Sequence, residues 1–289
     1  MTLGTILAVI DGEAGSEAVV KAALALGRDF EAAVELLHVE GEVKDAMPLF
    51  GEGASGAMVE QVIENIRAAE KKRAAEARRL YDTHCVAAGL PLIEADATPV
   101  PGRFDVRFDH VIGRESDEVT RRGRLSDLVV VAKPPPEPTD GNPPALEVAM
   151  FETGRPVLMV PPDLPDPFAS KIAIAWDGSR EAARALGAAL PMLRKAVKVE
   201  IMTAQYGSVA AKPSEVARYL GQHGIEARTW AFTPGRDPIG KELMIQCAEA
   251  GADMLVMGAY GHSRFREMVL GGATRGVIAG ATLPVLLAH

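Results

Sequence analysis

Four glycines near the end of the chain have the spacing of an anion site. Gly258 and Gly261 follow an apolar run that ends in Met257, and after nine residues, His262 to Leu270, Gly271 and Gly272 open a segment of helical period. A glycine at a strand end lets the backbone approach a ligand and take positive φ. The free N–H groups of a helix's first turn point at an anion, and the helix dipole favours negative charge there. The N–H groups from Gly258 to Gly261 and from Gly271 through Gly272, Ala273 and Thr274 are thus the candidate phosphate donors, with Ser263 and Thr274 as nearby hydroxyls. His262 is the one histidine of six beside this loop, and it is more economically read as a solvent-facing loop residue than as an acid or base. One glycine after a strand usually only turns the chain, but four in strand–loop–helix order shift the balance toward a phosphate cradle.

Catalytic machinery is not evident around this loop. The chain has no Walker sequence GxxxxGK[ST], no HExxH and no Ser-Gly-Gly-x-Asp-Ser loop after either Ile10 or Trp176. Cys85 and Cys247 lie far apart and outside any CxxC or metal-ligand spacing. No catalytic residue and no metal ligand are therefore assigned.

The elements that must hold the loop come from an internal repeat. Ile6 to Leu26 (ILAVIDGEAGSEAVVKAALAL) returns as Ile172 to Leu193 (IAIAWDGSREAARALGAALPML), Leu125 to Lys133 returns near Gly251 to Ala259, and Gly154 to Pro162 returns as Thr282 to His289. Continuous apolar runs bounded by turn residues read as buried strands, and here they alternate with amphipathic helices. That pattern specifies a parallel sheet covered on both faces. The expected fold is α/β, two tandem doubly wound parallel-sheet sandwiches of about five strands each. The expected domains are 1–162 and 171–289, joined by a proline-rich linker at 163–170. The first half carries roughly 40 extra residues around a charged helix from about Met58 to Ala88, with Val59, Val62, Ile63 and Ile66 on one face.

The glycine spacing resembles the motif of the universal stress protein family: Gly, two residues, Gly, nine residues, Gly, then Ser or Thr. Gly258, Gly261 and Gly271 match it, and Gly272 stands where the family has the hydroxyl residue. The resemblance covers nearly all of the second half and, more loosely, much of the first. It implies a Rossmann-like, adenine nucleotide alpha hydrolase-like fold that binds ATP or another adenine nucleotide, with or without Mg. It also implies a base end lined by Ala175, Trp176 and Asp177 after the first strand of the second half, and by Thr203 and Ala204 at the end of the next. Asp177 can accept hydrogen bonds there, or serve only the start of the helix that follows. Family proteins dimerise through the last strand, which implies an intramolecular pseudo-dimer of the halves and leaves a homodimer of whole chains open.

The first half should not bind in the same way. An offset of 128, set by aligning Pro156 with Pro284, carries Gly271 and Gly272 back to Pro143 and Pro144, which lack N–H donors, and Gly258 falls near Ala132. The net charge of −8 and pI near 5.4 argue against nucleic acid, since phosphate backbones reward clustered Lys and Arg. An N-terminus without a basic flank, and no run of about 18 apolar residues, give the expectation of a cytoplasmic protein that neither spans a membrane nor is exported. The functional expectation is an adenine-nucleotide-binding module in the second half, acting in stress response. An ATP-hydrolysing enzyme of low turnover and a nucleotide-free interaction scaffold are the alternatives.

Overall fold

The computed structural model describes residues 3–42, 56–94, 97–135, 144–205, 212–261 and 272–289. Its contacts divide the chain into two units: Leu3–Ala132 with Pro143–Thr153, and Gly154–His289 with Lys133–Asn142 and Met1–Thr2.

The first unit is built from strands β1 (Thr5–Val9), β2 (Ala33–Glu40), β3 (Val106–Ile112) and β4 (Leu128–Ala132), and from helices α1 (Ser16–Phe30), α2 (Gly56–Tyr81), α3 (Glu115–Gly123) and α4 (Ala145–Glu152). Its strands are parallel in the order β3-β2-β1-β4. Ile6, Leu7, Leu36, Leu37 and Val129 have almost no exposed surface, as strands covered on both faces must. The charged helix read from the sequence is α2, which closes in a π-type turn at Asp82–Val86. Its Val59, Val62, Ile63 and Ile66 are half-buried, and the stripe continues into buried Ala77 and Leu80. Polar packing also anchors α3. Arg122 bonds Glu35 on β2 and Asp109 on β3, and meets Glu118 on its own helix at 3.0 Å, while Arg107 bonds Glu35. Burial opposes the Arg122 charge, but the Glu35 and Asp109 hydrogen bonds hold its pKa above the ordinary arginine value.

The second unit comprises β5 (Val157–Val160), β6 (Lys171–Ala175), α5 (Arg180–Lys195), β7 (Lys198–Ala204), α6 (Pro213–Gln222), β8 (Arg228–Phe232), α7 (Ile239–Ala250), β9 (Met254–Gly258), α8 (Gly272–Gly280) and β10 (Val285–Ala288). The order is β5-β10-β9-β6-β7-β8, with every pair parallel except β5 with β10. Strand order reverses at β6: β7 and β8 lie to one side, and the chain crosses back to place β9 and β10 on the other. Open α/β sheets place ligands beyond the carboxyl ends of strands at such a reversal.

Each repeat thus supplies five strands, as the sequence pattern implies. The contact division does not follow the repeat, because β5, the last strand of the first repeat, joins the second unit's sheet. There Leu158 pairs with Leu286, and Val157, Leu158, Met159 and Val160 have no exposed surface. Each such side chain contributes about 1.5–3 kcal/mol by burial, so β10 without β5 would leave an apolar edge able to pair with another chain. A fragment beginning at Lys171, which lacks β5, is expected to self-associate or aggregate in light scattering coupled to size exclusion. A stable monomer of that fragment would contradict this role for β5.

Candidate functional site

At the carboxyl end of the second unit's sheet, β6 lies between β7 and β9, and Ala175 is in register with both Met202 and Met257. The Trp176 N–H donates to the Met202 carbonyl at 2.9 Å, which carries the β6–β7 pairing one residue beyond the strand. Asp177 then takes the turn role: its Oδ1 accepts from the Ser179 N–H at 2.9 Å, and Ser179 caps α5 by accepting from the Ala182 N–H at 3.1 Å. Asp177 is exposed, whereas Thr203 near the end of β7 is buried and its hydroxyl oxygen has no hydrogen-bond partner among the described residues. A buried polar atom of this kind calls for a partner that a ligand or water can supply.

The glycines are fixed by space. A Cβ on Gly258 would overlap the backbone nitrogen of Ala182, and one on Gly261 would lie 2.5 Å from Oε2 of Glu181. The start of α5 therefore packs directly on the end of β9. Beyond β9, Ala259 donates to the Ala288 carbonyl at 2.9 Å, and Tyr260 takes the left-handed conformation at φ 56°. The Tyr260 N–H reaches the buried Thr274 hydroxyl at 3.3 Å, tying the turn after β9 to the first turn of α8. Gly272 is the first helical residue of α8 and is exposed. Ala175, Trp176, Asp177, Thr203, Ala204, Met257, Gly258, Gly261, Gly272, Ala273 and Thr274 all fall at strand ends or the helix start on this side of the sheet. His262, Ser263 and Gly271 lie outside the described residues.

Four contributors escape the sequence motif. Glu181 is 2% exposed; its Oε1 accepts from Arg180 at 2.6 Å and its Oε2 has no hydrogen-bond partner among the described residues. Burial pushes this carboxyl up, but the Arg180 hydrogen bond, its own backbone N–H and the Arg180 and Arg184 charges outweigh it and leave its pKa below the ordinary value. Gly240 and Gly276 allow α7 and α8 to touch backbone to backbone, since a Cβ on Gly240 would lie 2.6 Å from the Ala273 carbonyl oxygen. Lys133 caps the far end of α8, its Nζ donating to the carbonyls of Ala279 at 2.8 Å and Ala281 at 3.0 Å. Both thiols are inert by burial, Cys247 pushed up to about 12 and Cys85 to about 11. Among the described residues no group of three metal-ligating side chains exists, and no helix is long and apolar enough to cross a membrane.

The sheet order and the glycine-bounded strand ends define a tandem, doubly wound α/β fold of the Rossmann-like type. Residues 232–289 match the family model described as the Universal stress protein family. No curated protein matches it by sequence. A universal stress protein from Archaeoglobus fulgidus shares the fold at 17% identity and a TM-score of 0.69, over 99% of this chain and 96% of that one. A putative universal stress protein from Pseudomonas aeruginosa does so at 14% identity and 0.55, over 99% and 93%.

The equivalent end of the first unit is built differently. Strand register makes Ala132 the counterpart of Gly258 and His38 that of Thr203. Gly15, at the start of α1, takes a positive φ of 112° that disfavours a side chain, and a Cβ there would lie 3.2 Å from the Ala132 methyl. Helix α2 closes on the strand end, since a Cβ on Gly12 would overlap the Arg73 carbonyl oxygen, and Arg73 is 3.7 Å from Glu13. Asp11 accepts from the Glu13 N–H at 2.9 Å and the Ser16 hydroxyl at 2.7 Å, and Pro144, without an N–H, precedes α4. His38 is buried, with Nδ1 on the Ile10 carbonyl at 2.8 Å and its ring 5.3 Å from that of His110.

Burial holds the His38 imidazole below its ordinary pKa, against the pull of the Ile10 carbonyl. Below pH about 6.5 the unfolded chain binds a proton that the folded chain refuses, so this group's contribution is present above that pH and is lost as pH falls toward the lowered value. His38→Asn keeps a donor for Ile10 but cannot titrate. Urea titrations from pH 7.5 to 5 should show the native chain losing stability relative to this variant as pH falls, with a slope difference of up to about 1.4 kcal/mol per pH unit. Parallel pH profiles would contradict it.

Proposed function

We propose that the second unit binds one adenine nucleotide per chain, ATP or a close relative, and that the protein works in stress response as a nucleotide-dependent binding or regulatory module. The observation that carries this reading is the convergence, at one strand reversal, of two glycines with no room for a side chain, a helix start, and a buried Thr203 hydroxyl without a partner among the described residues. The phosphates would lie on N–H groups of the turn from Gly258 to Gly261 and the first turn of α8, with the adenosine end near Trp176, Asp177, Thr203 and Ala204. The family match supports it by running through β9, the turn and α8. The first unit stays empty in this reading, because Ala132 and Pro144 replace the glycines and α2 closes on Gly12.

Gly272→Pro isolates the donor. Proline is well tolerated at the first helical position, so α8 should form, but one N–H disappears. A charge-assisted hydrogen bond is worth about 1.5–3 kcal/mol, so ATP affinity should fall at least about tenfold in calorimetric titration, from a native stoichiometry of about one per chain. Two sites per chain, or an affinity untouched by Gly272→Pro, would sink this placement.

A further inference from the structure

The Glu181 carboxylate sits where the proposed nucleotide's own charge would be brought. It is the second residue of α5, it is 2% exposed, and its side chain runs from beside Gly258 to Gly261, the two glycines of the turn after β9. Arg180 takes one oxygen from its exposed side, and the other oxygen, Oε2, faces the Gly261 turn without a partner among the described residues. A solitary buried carboxylate oxygen normally has a donor or a cation, because leaving it bare costs more than the contact it forgoes. The repeat supplies an internal control. Glu181 aligns with Gly15 by the same offset that aligns Asp177 with Asp11, so the unit that lacks the glycine turn also lacks the carboxylate.

Resting on the nucleotide reading above, we infer that Glu181 couples phosphate binding in the second unit to a divalent cation, which its free carboxylate oxygen and the nucleotide phosphates hold between them. Without the cation, two negative groups would share a poorly hydrated turn and repel. With it, the site has what Mg2+ ordinarily uses: one carboxylate, phosphate oxygens and retained waters, with no need for an all-protein cage. The carboxylate therefore selects for the metal complex of a polyphosphate over the bare anion, and it is indifferent to a ligand that has no phosphate.

Calorimetric titration of the full chain and of Glu181→Gln, with ATP in Mg2+, ATP in EDTA, and adenosine, tests this. The native chain should bind ATP about tenfold or more tightly in Mg2+ than in EDTA. Glu181→Gln should bind ATP in EDTA about tenfold more tightly than the native chain, with most of the Mg2+ effect gone, and adenosine affinity should be equal in the two proteins. ATP binding with the same Mg2+ dependence in both proteins would overturn the role of Glu181 and leave the nucleotide site standing. Absence of ATP binding by the native chain in either buffer would overturn both. If Glu181→Gln does not fold, the native chain alone decides: equal ATP affinity in Mg2+ and EDTA refutes the coupling.

Discussion

The contact on which the candidate site depends is the one between the end of β9 and the start of α5. Gly258 has no room for a Cβ because the Ala182 backbone nitrogen occupies that space, so the capped end of a helix is brought onto the end of a neighbouring strand. Everything beyond it is set by this approach. Glu181 is carried along Gly258 to Gly261, the chain turns through a left-handed Tyr260, and Thr274 receives the Tyr260 N–H so that α8 starts beside the same strand end. The backbone close-packing of Gly240 on α8 and the Lys133 cap at its other end hold that helix in place.

The two repeats pack the same helix start on the same strand end at different distances. In the second unit the strand residue is Gly258 and the helix residue is Glu181; in the first the strand residue is Ala132 and the helix residue is Gly15. In the second unit the helix backbone itself, at the Ala182 nitrogen and the Glu181 carbonyl carbon, forbids a side chain on the strand residue, whereas in the first a methyl fits beside a glycine held at φ 112°. Only the second unit's arrangement leaves an open backbone at the strand end together with a charged side chain beside it. The other fills the strand end with a methyl, and α2 then closes the remaining space through Gly12 and Arg73. A duplicated scaffold can thus keep its core and differ in how closely its first helix approaches the strand end.

Much of this was legible in the sequence, because the signals are local. Apolar runs ending in Asp-Gly marked β1 and β6, the repeat marked two α/β sandwiches, and the spacing of Gly258 and Gly261 marked a turn where backbone must approach something closely. What was not legible depends on partners remote in sequence. No local pattern tells β5 to pair antiparallel with β10, a pairing that only the family resemblance implies, and nothing around Lys133 shows that its Nζ ends on α8. Glu181 was passed over because a glutamate in a first helical turn usually faces solvent and complements the helix dipole. The signal was available only as a pair: Gly15 against Glu181 read together with Ala132 against Gly258.

The central claim is that one end of one unit holds an adenine nucleotide. Backbone amide NMR of the labelled full chain during titration with Mg-ATP tests it residue by residue. The account predicts shifts concentrated at Trp176, Asp177, Thr203, Gly258, Gly261 and Thr274, while Asp11, His38 and Ala132 in the first unit stay unmoved at saturation. Shifts centred on the first unit, or no shifts at millimolar Mg-ATP, would contradict it.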